Sequence, residues 1–74
     1  MGKSVDDYLQ ELLLLVRENV RVDGPPWMTS KQTLSGRLEL QLSMVDRLLP
    51  LLKANGEINY LADHEGLVWI VRLR

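Results

Sequence analysis

A chain of 74 residues with no cysteine, one histidine and a formal net charge of −1 has room for one small hydrophobic core and no covalent staple to hold it. The missing cysteines exclude disulfides and thiolate metal sites, and the near-balanced charge excludes a global positive field that would draw the molecule to nucleic acid or anionic lipid. Apolar residues make up 46% and charged residues 26% of the chain, which argues against disorder, and no apolar run approaches the ~20 residues of a membrane span.

The opening Met1-Gly2-Lys3-Ser4-Val5-Asp6 lacks the apolar run and small-residue cleavage site of a secretory signal. Asp6 stands where a myristoylation motif wants Ser or Thr, so a cytoplasmic location and a single domain over residues 1–74 are expected. Ser4 followed by Val5, Asp6 and Asp7 predicts a helix start with acidic residues in the first turn, the helix running to about Val20. Val5, Leu9, Leu12, Leu13, Val16 and Val20 form its buried stripe. Leu14 falls among Asp7, Glu11 and Glu18 on the opposite side, while Tyr8 and Leu15 widen the stripe beyond what a monomer needs.

Gly24, Pro25 and Pro26 stop that helix, because glycine frees the backbone and proline removes donors. Trp27 is expected to pack on the core, and its segment to lend a short strand to a C-terminal hairpin. Thr29-Ser30-Lys31-Gln32 matches a capping box, with Thr29 as the cap and Gln32 reaching back, and opens a short helix to about Leu38. Gly36 inside it costs roughly 1 kcal/mol unless it permits close approach, so close helix packing is expected there. Glu39 to Leu42 form the next turn, with Leu40 or Leu42 plugging the corner.

Ser43 with Asp46 fits an N-cap with a carboxylate near the positive helix end. Val45, Leu48, Leu49 and Leu52 share one face of this third helix, Pro50 is expected to bend it, and Asn55-Gly56 supply its stop. Glu57 to Leu61 then read as a strand, Ala62 to Gly66 as a polar turn, and Leu67 to Leu73 as a returning strand. Leu67 to Val71 are consecutively apolar, so both faces of that strand call for cover.

The set Val45, Arg47, Leu52, Gly56 and Ile58 resembles the recognition helix and first wing strand of winged helix-turn-helix domains. With the preceding helices and the following hairpin, the resemblance covers most of the chain. It implies an α+β fold of three helices and a C-terminal β-hairpin wing. It also implies a DNA-binding transcriptional regulator on double-stranded DNA, and a dimer is expected because one low-charge domain would bind weakly and two copies add avidity. On that resemblance Arg47 approaches a base edge, and Ser43 and Lys53 contact flanking phosphates. Lys31 and Arg37 position the second helix, and His64 and Arg72 of the wing touch the neighbouring backbone.

The competing expectation is a protein-interaction module or a subunit of a larger assembly. Its evidence is surplus apolar surface at Leu14, Leu15, Met44 and Leu51 and on the second face of the strand Leu67 to Val71. Asp46, Pro50 and Ala54 on the exposed side of the third helix also differ from the Arg, Lys, Asn and Gln of direct base readers. No catalytic residue, cofactor or metal is expected. His64 is the only imidazole, and it lies in a polar turn between Asp63 and Glu65.

Overall fold

A computed structural model describes residues 3–74, so expectations resting on Met1 and Gly2 lie outside the described residues. The fold is α+β, with three helices and a three-stranded antiparallel sheet in the order α1 (Val5–Asp23), β1 (Trp27–Ser30), α2 (Lys31–Leu38), α3 (Leu42–Ala54), β2 (Ile58–Ala62) and β3 (Leu67–Leu73). No helix among the described residues is long and apolar enough to cross a membrane.

Helix α1 starts at Ser4 as the sequence predicts, and a capping box holds it there: the Ser4 hydroxyl accepts from the Asp7 amide at 3.3 Å, and the Asp7 carboxylate accepts from the Ser4 amide at 3.1 Å. The helix continues past Val20 to Asp23 because Gly24, at φ 76°, is the residue that ends it. Its amide still donates to the Val20 carbonyl. Leu9, Leu12, Leu13, Val16 and Val20 are buried, whereas Val5 at the first turn is exposed, a correction to the expected stripe.

The caps of α2 and α3 also differ from expectation. Ser30, not Thr29, caps α2, its hydroxyl accepting from the Thr33 amide at 3.0 Å. Thr29 is instead the partner of Val68 in β1. The N-cap of α3 is Gln41 with no side-chain cap bond, and Ser43 lies inside the first turn. Glu39, at φ 55°, turns the chain between α2 and α3. There the Leu40 amide donates to the Ser35 carbonyl at 3.0 Å, and the Ser35 hydroxyl donates to the Leu40 carbonyl. Leu40 packs against the core while Leu42 is exposed, so Leu40 plugs the corner.

The stop of α3 follows the sequence reading. Gly56 at φ 77° lets its own amide reach the Lys53 carbonyl and the Glu57 amide reach the Leu52 carbonyl, both at 3.0 Å, a Schellman motif. Pro50 lies within one continuous helix, on its exposed side.

In the sheet β3 is central, with Trp27 opposite Ile70 and Met28 opposite Trp69 on one side, and Tyr60 opposite Ile70 and Leu61 opposite Trp69 on the other. The register slips between Asn59 and Tyr60, leaving Val71 as the extra residue of a bulge. Val68 and Ile70 are fully buried against Leu12, Val16, Leu34, Val45, Leu48 and Leu49, so all three helices lie on one face of the sheet. Trp27 joins this core as expected. A backbone bond from the Lys31 amide to the Gly66 carbonyl, 2.8 Å, ties the start of α2 to the β2–β3 turn.

Candidate interaction surfaces

Two surfaces carry the residues singled out by the sequence: the outward side of α3 and the sheet face turned away from the helices. Burying Val45, Leu48, Leu49 and Leu52 forces Ser43, Asp46, Arg47, Pro50, Leu51 and Ala54 outward. Ser43 and Arg47, one turn apart, line a shallow cleft with Tyr8, Glu39, Leu40, Gln41 and Met44. They are one pair of nucleic-acid candidates that the fold brings together; Lys53 and Arg72 are a second, lining an open cleft with Gly56, Glu57, Asn59 and Arg74, and Lys31 and His64 a third.

Two of the other candidate cations are already engaged within the molecule. Lys31 Nζ lies 2.7 Å from the Asp46 carboxylate, with only a quarter of the lysine side chain exposed, so its charge is matched within the molecule. Lys53 Nζ stands 5.4 Å over the Tyr60 ring, a cation–π arrangement that holds it along β2. Burial pushes the Tyr60 phenol above its ordinary value; the charge of Asp46 adds to the rise and that of Lys31 opposes it. Arg37 is on the other side of α2, in a depression with Asn19, Trp27, Met28 and Thr33. His64 sits in the turn and Arg72 near the end of β3, so roughly 20 Å of extended chain separates the two wing candidates.

The turn itself is acidic. Asp63 accepts from the amides of Glu65 and Leu67, both at 2.9 Å, which fixes the loop, and Gly66 at φ 96° completes it. Around it Asp63, His64 and Glu65 face Lys31, Gln32, Leu42 and Asp46 across a small open pocket. Three carboxylates against one matched lysine make this a poor seat for a phosphate. Among the described residues no group of histidine or carboxylate side chains gathers to hold a metal ion.

Of the apolar candidates, Leu15 and Met44 are partly buried and belong to the margin of the core. Leu14 and Leu51 are exposed, at 56% and 41%, but they lie apart: Leu14 borders a groove with Arg17, Val20, Arg21 and Leu73. The larger apolar surface is on the sheet. Because strand side chains alternate, Val68 and Ile70 inside place Trp69 outside, and the register sets Met28 and Leu61 on either side of it. Met28 and Leu61 are each 60% exposed and Val71, at the bulge, 37%. Among the described residues no helix packs on this face.

The sequence reading anticipated the uncovered second face of β3 but missed Met28 and Leu61. Closing the hairpin with Asp63 opposite Leu67 would have paired Leu61 with Trp69. The alternation from an inward Trp27 would have turned Met28 outward. Comparison of the chain with protein-family models, curated proteins and solved structures finds no match.

Proposed function

We propose that this chain is a winged-helix module that docks a protein surface through the outer face of its sheet, with no catalytic step. The helix order, the short strand between α1 and α2, and the strand order β1-β3-β2 support the winged-helix assignment. The observation that carries the function is the row Met28–Trp69–Leu61 with Val71 beside it, spanning all three strands. Large exposed apolar side chains gain roughly 25 cal/mol for each Å² removed from water, and contiguous ones mark a surface that a partner covers.

A second reading is favoured by one arrangement: Ser43 and Arg47 stand together on the outward side of α3, where a groove-reading helix would present them. On it the chain is a dimeric DNA-binding regulator. The charge pattern supports it less, because Lys31 is matched by Asp46 and the β2–β3 turn is acidic.

Fluorescence anisotropy of a labelled random-sequence duplex separates the two. Docking to protein predicts no saturable binding at about 50 mM salt with protein up to about 100 μM. Duplex binding that weakens about 100-fold between about 50 and 200 mM salt, and is lost in Arg47→Ala, would overturn that reading in favour of the second.

A further inference from the structure

The formal charge of −1 conceals a basic end of the molecule. Two open clefts meet at Arg74, one between α1 and the end of β3 with Arg17 and Arg21, the other at the end of the sheet with Lys53 and Arg72. Together they gather five of the nine lysines and arginines of the chain. Among the described side chains only Glu18 and Glu57 line them with negative charge, an excess of cations that a terminal carboxylate after Arg74 would only reduce.

Part of this charge serves the fold. Arg21 and Lys53 lie in the last turns of α1 and α3, where a cation offsets the helix dipole, and Lys53 also stands over Tyr60. Arg17 reaches Glu57 at 3.5 Å in a solvent-exposed pair, which competes weakly with an incoming carboxylate. Arg72 and Arg74 have neither role. Both are exposed, and no ion pair among the described residues uses them or Arg21.

The first cleft is apolar as well as basic. Leu14, Arg17, Glu18 and Arg21 follow one another along the outward side of α1 over about 10 Å, and Val20 and Leu73 form the floor. Leucines interleaved with arginines suit a ligand that is itself both apolar and acidic. The cleft is open along its length and covers one side of its occupant, unlike a site that encloses a small molecule on most sides. No aromatic side chain among the described residues lines either cleft, so a nucleobase finds no stacking platform. The cations also pass from α1 round the end of the sheet to Arg72, a path that a straight duplex backbone does not follow.

We infer that this basic end docks an acidic amphipathic segment of another protein, with its leucine-type side chains against Leu14 and Leu73 and its carboxylates against Arg21 and Arg74. The site is separate from the sheet face bearing Met28, Trp69 and Leu61, and it goes beyond the docking proposed there. Lys53 and Arg72 extend the positive field past Arg74, which steers an acidic partner toward the groove.

Fluorescence anisotropy of the full chain with a labelled peptide of about 12 residues, leucine at every fourth position and glutamate elsewhere, tests this. The expected result is saturable binding with a Kd of about 10–100 μM at about 50 mM salt, weakened several-fold at about 200 mM. Arg21→Glu and Arg74→Glu each weaken it about 10-fold and Leu14→Ser about 3-fold, whereas Leu61→Glu on the sheet face leaves it unchanged. A peptide with lysine in place of glutamate reverses the order, binding the Arg21→Glu, Arg74→Glu double variant more tightly than the wild type, which damage to the fold does not produce. Circular dichroism on each variant reports that the chain remains folded. Absence of binding by the wild type overturns the assignment, as does equal binding of a peptide with glutamine in place of glutamate, or binding indifferent to Arg21→Glu and Arg74→Glu. Displacement of the peptide by a random-sequence duplex overturns it in favour of a nucleic-acid surface. The docking reading is judged separately, by the duplex titration and its dependence on Arg47.

Discussion

Glycine at position 39 is expected to make the protein more stable, although it removes a whole side chain. Glu39 holds φ 55° and ψ 44°, the left-handed conformation in which an L side chain crowds its own carbonyl. That conformation costs an ordinary residue about 1–2 kcal/mol, and a glycine gives back about 0.5–1 kcal/mol through the larger entropy of its unfolded chain. Glu39 is exposed, and none of the ion pairs among the described residues uses it, so little offsets the relief. The net gain for Glu39→Gly is about 0.5–1 kcal/mol, or a rise of about 2–8 °C in Tm for a domain of this size. Urea denaturation followed by tryptophan fluorescence should show a higher midpoint at an unchanged slope. A lower midpoint would refute the reasoning and show that the Glu39 carboxylate holds something, with Arg47 across their shared cleft the first suspect.

Other substitutions probe the same helices and the sheet. Gly36→Ala should stabilise by about 0.5–1 kcal/mol in the same urea assay, because an added Cβ meets nothing within 4 Å. Pro50→Ala should raise thermal stability, by about 1–3 kcal/mol, since it restores a donor on the exposed side of α3 without disturbing Leu48, Leu49 or Leu52. The raised Tyr60 phenol pKa means that its burial contributes stability below the ordinary value of 10.0 that is lost as pH rises through the folded value. Tyr60→Phe should therefore lose less stability than the wild type between neutral pH and pH about 11, measured as the difference between urea midpoints. Equal losses would sever Tyr60 from the alkaline sensitivity.

The elements that carry their own punctuation were legible in the sequence. Ser4 with Asp7, Gly24 before two prolines, Asn55-Gly56 and the Asp63–Gly66 turn mark ends by local chemistry, and α1, the stop of α3 and β3 follow them. Where two neighbours could serve, local reasoning chose wrongly. Thr29 and Ser30 are both capping residues, and the ladder partner Val68 claims Thr29 for β1, leaving Ser30 to cap. Gly36 was expected to allow close packing, yet its surroundings are open, because Leu34 and Leu38 turn α2 into the core and Gly36 falls on the outer side between them.

The candidate surfaces were less legible, since they depend on tertiary neighbours. That Lys31 is held by Asp46, fifteen residues away, follows from how α2 crosses α3 and not from either segment. The separation of His64 from Arg72 is a consequence of strand length, and the outward row of Met28, Trp69 and Leu61 required the register of all three strands. The bulge at Val71 leaves no local mark in a run of apolar residues.

The most direct test of the docking reading is an amide ¹H–¹⁵N spectrum recorded with and without a random-sequence duplex at about 50 mM salt. A spectrum that the duplex leaves unchanged is the predicted result. Shifts that gather on Ser43, Arg47 and Leu51 would contradict the account.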